Sequence, residues 1–145
     1  MKNINILFIC IANHCRSPVA EILAKKKFPE YCHIESCGLI EPISIDMHKS
    51  SKHFLSNHCS IDHFNFKAKK VSDEVLKNSN YIIVFTSEIK IMLIKNFPYV
   101  ASKVFLLTKF SSKEDIQDPI NKNKEFYEKV MNEIEKNIDL WVTKI

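Results

Sequence analysis

Residues 4–18 read Ile-Asn-Ile-Leu-Phe-Ile-Cys-Ile-Ala-Asn-His-Cys-Arg-Ser-Pro, and these residues are the most informative about the architecture. Its first part, residues 4–11, is a nearly continuous apolar run, which is typical of a strand buried on both faces of a parallel sheet. Ser17 is predicted to cap a helix that starts at Pro18 and ends near Phe28, just before a second proline. The stretch therefore predicts a strand, a tight loop and a helix.

The rest of the chain alternates strands and helices in the same way. Alternation of this kind predicts an α/β fold with a four-stranded parallel sheet, helices on both faces, and ligand binding beyond the carboxyl ends of the strands. At 145 residues we expect a single domain, residues 1–145. The further strands are predicted at 32–37, 81–85 and 104–107, the further helices at 46–57, from Ser72, from Thr86 or Ser87 to Asn96, and after the loop 108–121 up to about Thr143.

The composition excludes several classes of protein. Hydrophobic residues make up 46% of the chain and charged residues 26%, which is typical of a folded globular protein. Gly38 is the only glycine, so the glycine-rich loops of dinucleotide-binding proteins and of P-loop NTPases cannot form. The net charge is +4 without a dense basic stripe, which favours a small anionic ligand over a nucleic acid.

Cysteine usage and hydropathy indicate the compartment. The five cysteines follow no secretory leader, and an odd number argues against a framework of structural disulfides. No apolar run approaches the ~20 residues that a membrane helix needs. We therefore expect a soluble, cytoplasmic protein that contacts no membrane. Cys32 and Cys37 are expected in the core, and no spacing of His or Cys predicts a metal site.

The loop after the first strand carries the candidate chemistry. It holds Cys10 and, after five intervening residues, Arg16, the only arginine in the chain. Backbone N–H groups of such a loop and of the following helix bind a tetrahedral anion, and the guanidinium adds a planar fork for two phosphate oxygens. The same positive surroundings favour a thiolate, so Cys10 is a candidate nucleophile. Ser17 can donate to that sulfur, and Asn13 is predicted to adopt the left-handed conformation that a tight loop needs.

Residues 8–21, Phe-Ile-Cys-Ile-Ala-Asn-His-Cys-Arg-Ser-Pro-Val-Ala-Glu, resemble the signature of the low-molecular-weight protein tyrosine phosphatases. Two further matches follow in order. Glu35-Ser36-Cys37-Gly38 is similar to the family's Ser-Ala-Gly after the second strand, and Asp118-Pro119 is similar to its Asp-Pro general-acid loop. The resemblance covers essentially the whole chain. It implies a protein phosphatase that uses neither a metal nor another cofactor, acts on a phosphorylated protein and releases inorganic phosphate.

The resemblance also implies a role for each matching residue. Cys10 attacks phosphorus, Arg16 and the loop amides hold the phosphoryl oxygens, and Asp118 protonates the leaving oxygen and then activates water. Ser36 supports the loop in a hydrogen-bond network with Asn13 and Ser17. The phosphate-binding loop so defined comprises Ile11, Ala12, Asn13, His14, Cys15, Arg16 and Ser17.

The sequence departs from the family's pattern at several positions. Phe66 aligns with a His of the supporting network, which implies a looser or differently supported loop, and Ala12 replaces a Gly. Ile120 replaces an aromatic residue after Asp-Pro. With Ile40 opposite, it would give the pocket aliphatic walls, which argues against specificity for tyrosine. His14 occupies a variable position of the loop that helps to select the substrate.

The loop contains a second cysteine, Cys15, and the resemblance implies that this residue has a regulatory role. Family members with this cysteine form a reversible disulfide with the nucleophile, so Cys15 is a candidate for redox protection of Cys10. A curled loop allows the two sulfurs to meet.

Three functions stay open at this point. The leading one is a phosphatase of protein phosphotyrosine, and the second is a protein arginine phosphatase on the same fold. The third, from another class, is a phosphate-binding module without catalysis. Thiol-coupled arsenate reduction is disfavoured, because that chemistry needs later cysteines and this chain has none after Cys59.

Overall fold

A parallel sheet forms the centre of the molecule in a computed structural model, which describes residues 3–61 and 65–145. The strands are β1 (Ile4–Cys10), β2 (Cys32–Gly38), β3 (Tyr81–Val84) and β4 (Val104–Leu106). Their order across the sheet is β2-β1-β3-β4, and all neighbours run parallel. Residues 6–10 of β1 are buried, as expected for an inner strand covered on both faces. The predicted four-stranded α/β sheet is confirmed.

The helices pack on both faces of this sheet. They are α1 (Arg16–Lys27), α2 (Lys49–Asn57), α3 (Asp73–Asn78), α4 (Ser87–Asn96) and α5 (Lys124–Val142), with 3-10 helices at Pro98–Lys103 and Leu107–Phe110. α1, α2 and α5 pack against one another, whereas α3 and α4 contact the strands from the other side. The strand order reverses after β2, and right-handed crossovers then place helices on opposite faces. β1 ends beside this reversal, where open α/β sheets bind ligands.

The predicted starts of α3 and α4 are confirmed, and the capping assignment at α1 is wrong. Ser72 and Thr86 cap α3 and α4 by accepting hydrogen bonds from backbone N–H groups, as predicted. α1 begins at Arg16 with Cys15 in the capping position, and no side chain caps it. Ser17, the predicted cap, lies inside the helix because its hydroxyl is bonded to side chains of the preceding strand and loop.

Other boundaries shift by a few residues. The helix predicted from residue 46 starts at Lys49, with His48 as its cap. The end of the fourth predicted strand and the start of the loop 108–121 form the 3-10 helix Leu107–Phe110.

The structure also bears on membrane helices and cysteines. Within residues 3–61 and 65–145, no helix combines the length and the hydropathy needed to cross a membrane. All five cysteines carry free thiols in the structure, and Cys32 and Cys37 are buried in the core.

Candidate active site

The loop of residues 11–15 joins β1 to α1 at the carboxyl edge of the sheet, directly against Gly38. A Cβ atom on Gly38 would stand only 2.8–2.9 Å from three backbone atoms of residues 11–13. Only glycine therefore lets β2 approach the loop this closely. Backbone hydrogen bonds of 3.0 Å from Leu39 and Ile40 hold the loop in this place. The single glycine of the chain is a packing requirement of the loop.

Asn13 fixes the curvature of the loop from inside. Its φ of 53° lies in the left-handed region, which confirms the prediction, and asparagine tolerates this region better than most residues. Its buried amide donates to Ser17 Oγ at 2.8 Å and to Ser36 Oγ at 2.9 Å. Its carbonyl oxygen accepts from the backbone N–H of Lys69 at 3.1 Å. The structure thus brings together the three residues that the resemblance grouped.

Glu21 extends this hydrogen-bond network beyond Ser36, a role that was not predicted from the sequence. Its carboxylate is buried and accepts from the Ser36 hydroxyl at 2.5 Å and from Lys25 at 2.7 Å. Phe66, which aligns with the family's His, packs half-buried against the core. A glutamate is rarely buried unless it is paired. A Glu on the buried side of α1 was therefore the signal that a polar network lay beneath the loop.

The network leaves one hydrogen for the sulfur of Cys10. Asn13 uses both amide hydrogens on the two serines, and Ser36 donates its own hydrogen to Glu21. The Ser17 hydroxyl, which already accepts from Asn13, lies 2.8 Å from Cys10 Sγ. Its hydrogen is therefore free to be donated to sulfur, and such a bond is strongest to a thiolate.

Arg16 is held in place on two sides. Its side chain is 4% exposed, and Nη1 donates to the backbone carbonyl of Ile116 at 2.8 Å. The guanidinium carbon lies 5.9 Å from the ring centroid of Phe85, in cation–π geometry. The fork is therefore oriented before any anion arrives, which lowers the entropic cost of binding one.

Asp118 approaches the same place from the other side of the cavity. Its Oδ2 lies 4.0 Å from Arg16 Nη2, and Oδ1 accepts from the N–H of Ile120 at 3.1 Å. The segment is attached to the sheet, because Ile116 N–H donates to the carbonyl of Phe85 at 2.8 Å. The Asp118 side chain is 47% exposed, so both a leaving group and water can reach it.

These side chains enclose a small cavity of about 70 Å³. Ligand pockets for larger molecules measure roughly 300–1,000 Å³, so this cavity suits a small group such as a phosphoryl group. Asn13, Ser17 and Ser36 lie behind the wall and do not line it. The lining residues are Cys10, Ile11, Ala12, His14, Cys15, Arg16, Ile43, Asp118 and Ile120.

One predicted wall residue is replaced by a neighbour. Ile40 was expected opposite Ile120, but it does not line the cavity, and its side chain is half exposed. Its backbone N–H is bonded to the carbonyl of Ile11, which fixes it at the edge of the loop. Ile43, three residues later, lines the cavity instead. Residues 39–48 form an irregular loop, so the spacing of its apolar residues does not indicate which isoleucine lines the cavity.

Cys15 contacts a second set of buried polar groups. Burial raises the pKa of its thiol to about 11, although a hydrogen bond with the Tyr127 hydroxyl opposes this shift. Tyr127 also bonds to Ser51 Oγ at 2.7 Å, and Ser51 in turn donates to the carbonyl of Cys15 at 2.9 Å. Ser51 on α2 and Tyr127 on α5 therefore fix the position of Cys15. Because its pKa is raised, the Cys15 thiol is protonated at neutral pH.

Two histidines connect the cavity to α2. His14 lines the cavity, and its ring lies edge-on to that of His48 at a centroid distance of 5.3 Å. His48 stacks on Tyr127 at 5.4 Å, and its Nδ1 accepts from the N–H of Ser50 at the start of α2. Burial, with smaller contributions from His14 and Lys49, lowers the pKa of His48. The sequence did not indicate this contact, because His14 and His48 lie in separate loops far apart along the chain.

Sequence comparisons place this site in a known family. The family described as "Low molecular weight phosphotyrosine protein phosphatase" matches residues 5–145. The low molecular weight protein-tyrosine-phosphatase Ptp of Acinetobacter johnsonii is 29% identical over 141 residues, which cover 97% of either chain. The phosphatase Wzb of Escherichia coli is 28% identical over 144 residues, covering 94% of this chain and 92% of the relative.

Solved structures agree with this placement. The YwlE arginine phosphatase from Geobacillus stearothermophilus superimposes with a TM-score of 0.90 at 28% identity, covering 97% of this chain and 92% of that one. A low molecular weight protein tyrosine phosphatase from T. tengcongensis gives 0.90 at 27% identity, covering 98% and 99%. From the site geometry and these matches together, the chain belongs to the low molecular weight phosphotyrosine protein phosphatase family.

Proposed function

We propose that this phosphatase hydrolyses phosphotyrosine in proteins through a phosphocysteine intermediate on Cys10. The surroundings of the Cys10 sulfur carry the proposal. Ser17 lies 2.8 Å from it, and Arg16 and Asp118 line the same cavity. Within the described parts of the chain, the backbone N–H groups of residues 11–15 donate no hydrogen bond to another residue, so they are available to a ligand. Such donors stabilise a thiolate and a bound phosphoryl group together.

In the first step, the Cys10 thiolate attacks phosphorus. The S–P bond forms while the bond from phosphorus to the leaving oxygen breaks, and Asp118 transfers its proton to that oxygen. Arg16 and the loop N–H groups stabilise the charge on the equatorial oxygens as it develops. Asn13 and Ser36 act indirectly, because they hold the loop and the Ser17 hydroxyl in position.

In the second step, water releases the phosphate. The Asp118 carboxylate accepts a proton from water, the water oxygen attacks phosphorus, and the S–P bond breaks. Inorganic phosphate leaves and the Cys10 thiolate is restored. Asp118 transfers the protons, and Cys10 and then water act as nucleophiles, so we expect neither a metal ion nor another cofactor to take part. A thiolate of this kind persists in a reducing compartment, which supports a cytoplasmic location.

A second candidate substrate is phosphoarginine. The cavity walls Ile43 and Ile120 are aliphatic, and an aliphatic wall gives a phenol ring less specific stacking than an aromatic one. A relative of known structure, 28% identical, bears the name arginine phosphatase. Both substrates would use the same sulfur, the same Arg16 and the same Asp118, so the walls alone decide between them.

Hydrolysis of a simple aryl phosphate across pH tests the proposed function. With excess chelator and reductant present, we expect turnover in the wild type and none in Cys10→Ser. We expect a loss of about 10²–10⁴-fold in kcat in Asp118→Ala, which is the usual contribution of general acid–base catalysis. Ser102→Ala, an exposed serine far along the chain, is the matched control. Paired phosphotyrosine and phosphoarginine peptides then rank the two substrates. A folded wild type that binds phosphate without turnover would instead indicate a binding module.

A further inference from the structure

A second, larger cavity opens next to the catalytic one, between the N-terminal turns of α2 and α5. It has a volume of about 480 Å³, and we call it the basic groove. Phe54 and Tyr127, both buried, form part of its lining. The charged or titratable residues that line it are Lys49, His53, Lys122, Lys124 and Glu128.

The charge of the basic groove is positive and largely uncompensated. Glu128 is its single carboxylate, and it already lies 3.3 Å from His58 and 4.0 Å from Lys124. Among the described residues, no carboxylate lies within 4.0 Å of Lys49 or Lys122. Lys49, Lys122 and Lys124 are exposed, so their ammonium groups can meet a ligand in solution.

The placement of these lysines is not explained by helix stability. Lys49 is the first residue of α2 and Lys124 is the first residue of α5. Lysine is disfavoured at a helix N-terminus, where the helix dipole is already positive. α2 carries no acidic residue in its first turn. The first turn of α5 holds Glu125, which offsets part of the positive potential at that helix end. The potentials of the α2 start and of the three lysines add, and they favour an anionic ligand in the basic groove.

The basic groove and the catalytic cavity share no lining residue, but a chain of ring contacts connects them. His14 lines the catalytic cavity and Tyr127 lines the basic groove, and His48 lies in ring contact with both, at 5.3 and 5.4 Å. These two contacts place the rings of His14 and Tyr127 at most about 11 Å apart, and an extended peptide advances about 3.3 Å per residue, so three to four residues span this distance. A peptide whose phosphorylated residue occupies the catalytic cavity can therefore reach the basic groove with its neighbouring residues.

We propose that the basic groove binds acidic side chains of the phosphoprotein substrate, two to four residues from the phosphorylated residue. This inference rests on the proposed function, and it adds a sequence preference that the catalytic cavity alone does not supply. Lys49, Lys122 and Lys124 are the recognition residues. Tyr127 and Phe54 supply an apolar floor for the carbon chain of the peptide.

The test compares three phosphotyrosine peptides of equal length. One carries Asp two to four residues before the phosphotyrosine, one carries Asp two to four residues after it, and the third has Asn at all these positions. The kcat/KM of each is measured for the wild type and for Lys49→Gln/Lys122→Gln/Lys124→Gln. The matched control is Lys90→Gln/Lys95→Gln/Lys136→Gln, which removes the same charge from other surfaces.

We expect the wild type to prefer one of the Asp peptides over the Asn peptide by about fivefold to thirtyfold, as three exposed ion pairs would give. The preference should fall to near one in the groove variant, persist in the control, and weaken at high salt. Equal kcat/KM for all three peptides in the wild type would overturn the inference. So would a preference that survives in the groove variant.

Two readouts separate this inference from the proposed function. Hydrolysis of a simple aryl phosphate does not involve the basic groove, so it reports on Cys10 chemistry alone. If the wild type hydrolyses no substrate, fluorescence anisotropy of the labelled Asp and Asn peptides on Cys10→Ala still measures their relative affinities. Equal affinities there would overturn the groove assignment as well.

Discussion

The Ser17 hydroxyl lies 2.8 Å from the Cys10 sulfur, and its hydrogen has no competing acceptor in the network around it. Residues that do not touch the sulfur set the direction in which the Ser17 hydroxyl donates. Glu21 takes the hydrogen of Ser36, and Asn13 then donates to both serine oxygens. A carboxylate on α1 thus determines how the Ser17 hydroxyl is oriented toward the Cys10 sulfur.

Replacing Ser17 with alanine should slow the reaction of the Cys10 sulfur with electrophiles. A hydrogen bond to a charged group is worth about 1.5–3 kcal/mol, so we expect alkylation by iodoacetamide at neutral pH to slow by about tenfold or more. Peptide mass spectrometry over time measures this rate, with Ser102→Ala as the control. An unchanged alkylation rate in Ser17→Ala would show that the hydroxyl does not stabilise the thiolate.

Replacing Gly38 with alanine should damage both stability and turnover. The new methyl group would meet loop backbone at 2.8–2.9 Å, and backbone cannot rotate away as a flexible side chain can. We expect the free energy of unfolding to fall by about 1–3 kcal/mol, as for an overpacked core. kcat/KM should fall up to about 10²-fold, because small displacements of reacting groups are costly. Urea unfolding and aryl phosphate kinetics check both values, and wild-type behaviour in either would contradict the packing argument.

Cys15 should protect Cys10 from irreversible oxidation. Because burial raises the pKa of the Cys15 thiol to about 11, it is protonated at neutral pH, and peroxide should oxidise Cys10 first. The sulfenic acid on Cys10 then condenses with the Cys15 thiol, which forms a disulfide and releases water.

Recovery of activity after oxidation measures this protection. After mild peroxide and then dithiothreitol, the wild type should regain activity, whereas Cys15→Ser should lose it progressively. Mass spectrometry that finds both thiols of the wild type still free after peroxide treatment would refute the disulfide.

His48 should make the stability of the protein depend on pH. Its pKa is lowered in the folded state by burial first and then by His14 and Lys49, with Asp118 opposing. At pH values between the folded pKa and the ordinary value near 6.5, the unfolded chain binds more protons than the folded protein. The contribution of His48 to the free energy of unfolding is therefore complete above about pH 6.5 and is lost as the pH falls through this window. Protonation also removes the Nδ1 acceptor that caps α2.

The variant His48→Asn tests this expectation, because asparagine keeps a capping oxygen but does not titrate. We expect the wild type to lose more of its free energy of unfolding between pH 7.5 and 5 than the variant does, by urea denaturation. Equal losses would assign the pH dependence to other groups.

The central part of the fold could be predicted because local chemistry determines it. The apolar run before Cys10 requires an inner strand, and Asn13 is a residue that tolerates the left-handed region. Ser72 and Thr86, which cap α3 and α4, bond to backbone N–H groups three residues later, so nearby residues determine these caps too. The errors fall where partners are distant in sequence. The contact of Ser17 with the Cys10 sulfur was predicted, but its assignment as a helix cap was wrong, because its hydroxyl is bonded to Cys10 and Asn13 instead.

The rest of the site depends on tertiary packing. Glu21 meets Ser36 only because α1 packs against β2, and no spacing in the sequence indicates that pair. Ile43 rather than Ile40 lines the catalytic cavity because of the path of an irregular loop. The basic groove likewise combines the starts of two helices that are far apart along the chain.

The proposed phosphocysteine intermediate can be tested directly by trapping the phosphoryl group on the Cys10 sulfur. Asp118→Ala is mixed with an aryl phosphate that has a good leaving group, quenched in acid within the first turnovers, digested and examined by mass spectrometry. Because such a leaving group needs little proton donation while hydrolysis of the intermediate needs Asp118, the peptide that contains Cys10 should gain one phosphoryl group on that residue. Release of phosphate with Cys10 unmodified at every time point, or a phosphoryl group on another residue, would contradict the account.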